Sequence, residues 1–215
     1  LEASPLAHAS RLRRPERKLV AMTLCLAGVC RSGNAIAFAF DERMTTIESA
    51  ADTFSKGARI HPSWVLLLAG EDVGAAGFVY DRLKRQLLGK TALALREVLD
   101  EVSKAHSRAF LEDVARHLLP PDVTYQEFKR DPGQVPDHDA IQCQMDRARH
   151  GCDFLLAGFD DRGLPHVVRL AAREMPENLD TLGYGALGSG QIVADHYLKL
   201  SKYSRELSGR EAAYH

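Results

Sequence analysis

Residues 21–46 read "AMTLCLAGVCRSGNAIAFAFDERMTT", and the reading of this stretch decides the fold. From Leu19 to Phe40 two apolar runs flank "CRSGN", where Ser-Gly-Asn supplies turn chemistry, so the segment is expected to form a β-hairpin. Its second run, "AIAFAF" (35–40), is small and apolar at every position, which predicts a strand buried on both faces. The stretch also sets Thr23 directly behind Met22 at the head of an apolar strand. One hairpin later come Asp41, Glu42, Arg43, Met44 and Thr45. Either Thr23 is one more strand residue, or the working chain begins there.

Outward from the hairpin, "RIHPSWVLLLAG" (59–70) predicts one further strand, closed by Gly70. Apolar residues at Val73, Ala76, Phe78 or Val79, Leu83 and Leu87 fit a helix over 71–88, and Leu93, Leu95, Val98, Leu99 and Val102 fit a second over 92–118. "LLPPDVTYQEFKRDPGQVPDHD" (118–139) reads as a long loop, a lid or an interface element, followed by a short helix over 140–149. "CDFLLAGFD", "DRG" and "LPHVVRL" (152–170) give strand, turn and strand. "LDTLGYGALGSG" (179–190) ends in a glycine-rich turn, and "GQIVADHYLKL" starts a helix. "LSGREAAYH" starts another, with Ser208 and Glu211 at the capping-box spacing. Strands and helices grouped in blocks predict antiparallel sheet layered against helices, an α+β arrangement, rather than alternating βαβ units.

The 215-residue chain has a formal charge of −1 and is 45% hydrophobic, ordinary globular composition without the basic excess of a general nucleic-acid or membrane-surface binder. No apolar run approaches the roughly 18 residues of a membrane span. Cys25, Cys30, Cys143 and Cys152 form no Cys-x-x-Cys pair, so no metal is expected and the thiols read as reduced, as in a cytosolic protein. "GYGALG" (183–188) satisfies G-x-G-x-x-G, but the preceding "PENLDTL" is a poor strand. A tight turn is therefore the reading there, and no cofactor is expected. Residues 1–21, with the basic cluster Arg11, Arg13, Arg14, Arg17 and Lys18, lack a secretory apolar core and are expected to be a disordered leader or an upstream segment outside the mature protein.

The candidate constellation is Thr23, Asp41, Lys56 and Gly70, and each of these residues also has an ordinary structural reading. Taken together with their neighbours they form five blocks. "MTLCLAGV" is followed by the Asp-x-Arg-x-Thr at Asp41. "SKGARI" carries Lys56 ahead of "WVLLLAGEDVGAA". "FLLAGFDDRGLPHVVRL" is a hairpin, and "ALGSGQIVADHYL" holds Ser189 in a turn opening a helix. These blocks resemble the proteasome β-type superfamily of N-terminal-nucleophile hydrolases, which includes the threonine protease component of the HslUV complex. They are most similar to bacterial proteins of that superfamily that open with Met-Thr-x-Cys.

The resemblance implies a four-layer αββα sandwich over residues 22–215, incomplete at its C-terminus. It implies a cytoplasmic threonine-type peptidase acting on peptide or protein substrates. A homo-oligomeric ring and an ATPase unfoldase partner are implied too, with no nucleic acid and no membrane. In typical proteasome β subunits the interval from the threonine to the aspartate is two residues shorter, so a bulge or a longer hairpin is expected here. Thr23 would be the nucleophile. A threonine hydroxyl needs a base, and a terminal α-amine, whose unperturbed pKa is roughly 7.7–8.0, supplies one where a peptide nitrogen cannot. Lys56 would supply positive charge, Asp41 would hold Lys56, the Gly70 N–H would stabilise the oxyanion, and Ser189 would orient the amine. Met22 ahead of a small residue is expected to be an initiator methionine that is removed. Two other readings stay open: a non-catalytic assembly or binding subunit, and an amidase acting on a small molecule.

Overall fold

The structure, a computed structural model, describes residues 23–41, 44–45, 50–51, 56–70, 73–147, 152–171 and 175–215; the expected leader over 1–21 lies outside the described residues. In chain order the first half comprises β1 (Cys25–Cys30), β2 (Ala35–Phe40), β3 (Met44–Thr45), β4 (Ala50–Ala51), β5 (Gly57–His61), β6 (Trp64–Gly70), α1 (Val73–Leu87) and α2 (Leu95–Leu118). The second half comprises α3 (Tyr125–Arg130), α4 (His138–Arg147), β7 (Cys152–Phe159), β8 (Pro165–Leu170), β9 (Glu177–Asn178), β10 (Tyr184–Leu187), α5 (Gln191–Leu200) and α6 (Gly209–Tyr214).

Two antiparallel sheets organise the molecule. One has the order β10-β1-β2 and the other β5-β6-β7-β8-β9, while β3 and β4 form a separate two-stranded pair. The strand period of two sorts β1 between the layers: Cys25, Ala27 and Val29 point at the five-stranded sheet and meet Leu67, Ala69, Leu155, Ala157 and Val167. The opposite face of the five-stranded sheet, with Ile60, Trp64, Leu66, Leu68, Phe154 and Leu156, is covered by Ala76, Val79 and Leu83 of α1 and by Val98, Val102 and Ala105 of α2. α5 lies against β10 and α6 against β1 and β2. Among the described residues no helix is long and apolar enough to cross a membrane. All four cysteines are free, and Cys143 alone is exposed.

The β1–β2 hairpin runs in unbroken register from Cys25↔Phe40 to Cys30↔Ala35, with no bulge. Its turn places Arg31 and Ser32 at φ of 51° and 52°, a region that non-glycine residues enter at a cost. Two anchors hold it: the Arg31 N–H donates to Leu207 O at 2.8 Å and the Ser32 N–H to Arg205 O at 2.8 Å. The turn segment between α5 and α6 thereby fixes the hairpin whose open end carries Thr23.

Three expectations are corrected. β2 is not buried on both faces: Ile36 and Phe40 pack against the core between the sheets, but Phe38 is 36% exposed and Ala39 is exposed. Its paired neighbour among the described strands is β1, so β2 is an edge, and a uniformly apolar run does not by itself distinguish an edge from a centre. "RIHPSWVLLLAG" is two strands, because Pro62 and Ser63 turn the chain and β5 pairs back on β6. The stretch 118–139 is not one long loop but contains α3, started by a capping box. The Glu127 N–H donates to Thr124 Oγ1 at 3.3 Å, and the Thr124 N–H donates to the Glu127 carboxylate at 2.9 Å. Phe128 then anchors α3 in a satellite cluster with Phe110, Leu119, Val135 and Met145.

Candidate active site

Thr23 lies two residues before β1, where the hairpin opens. Asp41 directly follows β2, opposite Leu24: its N–H donates to Leu24 O at 3.2 Å, and the Leu24 N–H returns a bond to Asp41 Oδ2 at 3.1 Å. Register sets Asp41 against Leu24, and the second bond turns its carboxylate to the head of β1. Lys56 comes from the other sheet, immediately before β5. Its Nζ forms an ion pair with Asp41 Oδ1 and donates to Thr23 Oγ1 at 3.2 Å. The Lys56 side chain is 3% exposed and the Asp41 side chain 33%. A buried ammonium is tolerated only when paired and hydrogen-bonded, and both conditions are met here.

The turn after β10 closes the site from a third side. The Thr23 N–H donates to Ser189 Oγ at 2.9 Å, and Thr23 O accepts from the Gly190 N–H at 3.2 Å. Gly188 has φ of +98°, and a Cβ there would lie 2.3 Å from the Thr23 carbonyl oxygen, so conformation and space both require glycine.

The structure therefore brings together Thr23, Asp41, Lys56 and Ser189. Gly70 ends β6 opposite Cys152 with φ of +151°, a value suited to glycine. It lies beyond the level of Lys56, whose carbonyl accepts from the Leu68 N–H at 2.8 Å. Among the described residues no hydrogen bond links Gly70 to the other four. Two contributors carry no signal in the sequence, the Leu24 amide and Tyr80, while Gly188 and Cys25 fall in the glycine-rich turn and the Met-Thr-x-Cys opening without a role being legible there. The Cys25 thiol, fully buried, donates to Leu68 O at 3.2 Å. Burial first, then the Asp41 charge, push it up to about 12, against smaller opposing pulls from Lys56 and the Leu68 carbonyl. Burial likewise raises the Tyr80 phenol, with smaller contributions from Cys25 and Cys152.

Chemically, an ion-paired ammonium donating to a hydroxyl stabilises oxygen as it gains negative charge, but it cannot accept that oxygen's proton. The backbone nitrogens of Thr23, Leu24 and Gly190 also line the site, and that of Thr23 is held by Ser189. Among the described residues no group of His, Cys, Asp and Glu could hold a metal ion.

The fold and site define a mixed α/β protein of two facing antiparallel sheets with, among the described residues, six α-helices, and a polar cluster that joins the head of the first strand to the second sheet. A subunit of the Anbu complex from Pseudomonas aeruginosa, described as a helical assembly, shares this fold with a TM-score of 0.62 at 16% identity, over 89% of this chain and 70% of that chain. No protein family and no curated protein matches the chain. The resemblance to the proteasome β and HslV type is accordingly corrected, because the similarity found is one of fold, to an Anbu subunit, at an identity that establishes no family. The physical reason lies in the blocks themselves. The glycine turns and the β7–β8 hairpin are positions that packing dictates, so they report architecture before ancestry.

Gly188→Ala is expected to lower stability by about 1–3 kcal/mol, read as a reduced urea midpoint, because the new methyl meets the Thr23 carbonyl. An unchanged midpoint would show that this turn does not clamp Thr23.

Proposed function

We propose that the protein hydrolyses amide bonds, with peptides as the substrate class, through Thr23 acting as nucleophile once Thr23 is the N-terminal residue. The observation that carries this reading is the 3.2 Å bond from Lys56 Nζ to Thr23 Oγ1, made by a lysine that Asp41 holds in place. With Met22 and the preceding residues removed, the Thr23 nitrogen becomes an amine beside Ser189. In its neutral form the amine takes the hydroxyl proton as Oγ1 attacks the substrate carbonyl carbon. The oxyanion collapses, the C–N bond breaks, and the same proton passes to the leaving amine, leaving an ester on Thr23. Water, deprotonated by the same amine, then attacks the ester, and the acid product departs with Thr23 Oγ1 protonated again. Lys56 stabilises the developing alkoxide throughout. The Gly70 N–H is the proposed oxyanion donor, a role supported by its place beyond Lys56 at the end of β6.

The same reading includes a homo-oligomer and a complete αββα layering in which α5 and α6 belong to the second helix layer. Ile192, Val193, Tyr197 and Leu200 expose the outer side of α5 while Ala194 and Leu198 bury its inner side. A helix apolar on both sides is usually covered on both, and the helical assembly of the Anbu complex supports a second copy as the cover. Sedimentation should show an assembly that Tyr197→Glu disrupts; a monomeric wild type would overturn this part.

For the chemistry, a chain beginning at Thr23 should cleave fluorogenic peptides. Thr23→Ala and Lys56→Met should each lose more than about 1,000-fold in kcat/KM while retaining the native circular dichroism. Thr23→Ser should keep measurable activity, and the rate should rise with pH as the amine loses its proton, near 8 for an unperturbed amine. Wild-type rates in a folded Thr23→Ala would refute the mechanism.

A further inference from the structure

Thr23 and Lys56 precede strands of different sheets, β1 and β5, so their separation is a distance between layers and something must fix it. We infer that Cys25 and Tyr80 are positioning residues that brace Lys56 against Thr23, an inference that rests on the proposed role of Thr23 as nucleophile. Three donors make the brace. The Cys25 thiol on β1 crosses between the sheets to Leu68 O on β6 at 3.2 Å. Leu68 in turn donates its N–H to Lys56 O at 2.8 Å. From the helix side, Tyr80 Oη on α1 lies 3.1 Å from Lys56 O and 3.3 Å from Leu66 O. A phenol carries a single proton, so Tyr80 shares it between the two carbonyls and ties Lys56 to β6.

The Lys56 carbonyl therefore receives donors from β6 and from α1, and through Leu68 its position is coupled to β1 two residues beyond Thr23. Both bracing side chains are inside the molecule, with Cys25 fully buried and Tyr80 5% exposed, where an unmade hydrogen bond is costly and a made one is rigid. The Cys25 thiol bonds the backbone of Leu68, the residue whose N–H holds the Lys56 carbonyl, which ties it to the site and not merely to the core. It is too buried to act on substrate, and its thiol is held in the protonated form. The remaining role is geometric. A lysine fixed at both its carbonyl and its ammonium cannot drift when the substrate arrives, and a small displacement of a catalytic group is expensive in rate.

Packing alone predicts something different. If the two residues only fill space, removing their hydrogen bonds should lower stability and leave turnover intact. If they brace Lys56, kcat should fall while KM stays, and restoring a donor should restore kcat. The test uses the full domain beginning at Thr23 with a fluorogenic peptide, in the variants Tyr80→Phe, Cys25→Val and Cys25→Ser, together with crystal structures of each. Tyr80→Phe and Cys25→Val are expected to lower kcat about tenfold, equivalent to about 1.4 kcal/mol, with KM within about twofold. The Lys56 Nζ–Thr23 Oγ1 separation should lengthen beyond hydrogen-bonding distance in both. Cys25→Ser, which keeps a donor, should stay within about threefold of wild type. Tyr80→Phe removes one oxygen and no packing, so it decides the matter even if Cys25→Val does not fold. Unchanged kcat in folded Tyr80→Phe, or lost kcat with an unchanged separation, would overturn the brace. A wild type that cleaves nothing while the separation lengthens in Tyr80→Phe would uphold the brace and remove the nucleophile reading instead.

Discussion

A buried ammonium bridging two sheets is the constraint on which the rest of this structure depends. Lys56 sits almost wholly out of water between β5 and the open end of the β1–β2 hairpin. Without Asp41 and the Thr23 hydroxyl its charge would be uncompensated, and breaking a buried pair on one side typically costs several kcal/mol. Folding therefore has to deliver three residues from three separate segments to one point. The antiparallel register of β1 and β2 delivers the first two, because Leu24 and Asp41 exchange a pair of hydrogen bonds. The facing of the two sheets delivers the third.

The surrounding architecture follows from holding that point still. The strained turn at 31–33 is anchored by the segment 205–207, and the hairpin it closes carries Thr23 at its far end. β10 pairs along the other side of β1, which is why the Gly188-Ser189-Gly190 turn arrives at Thr23. Both glycines serve that approach, Gly188 by leaving room for the Thr23 carbonyl and Gly190 by donating to it. Chemistry, conformation and packing thus converge on one residue whose sequence neighbourhood is ordinary apart from the methionine before it.

Much of this is legible in the sequence, though unevenly. The hairpin, the helices over 73–87 and 95–118, and the β7–β8 pair announce themselves through periodicity and turn residues. Ser208 and Glu211 form the capping box that their spacing predicts. The similar Thr124–Glu127 box is masked by prolines and aspartates on either side, which suggest loop. Pro62-Ser63 lacks the Asn-Gly chemistry that marks tight hairpins, which hides the β5–β6 turn. At the site, Thr23, Asp41, Lys56 and Ser189 stand out through a resemblance and not through any property of each residue alone. The structure places those four in contact and leaves Gly70 outside their hydrogen-bond network. Tyr80 cannot be read from sequence, and Cys25, though part of the Met-Thr-x-Cys opening, shows nothing there of its bond to Leu68, because both contacts exist only once the sheets and α1 are packed. The family inferred from the same blocks does not hold, since strand and turn patterns specify a fold more tightly than a lineage.

The central claim is that Thr23 works as a terminal residue, and intact-mass spectrometry with N-terminal sequencing of the natively expressed protein tests it most directly. The account predicts a mature chain whose first residue is Thr23, with its amine free beside Ser189. A mature chain in which Thr23 remains peptide-bonded to Met22 would contradict it, because the site would then hold a hydroxyl and an aspartate tied up by Lys56 but no amine to take the hydroxyl proton.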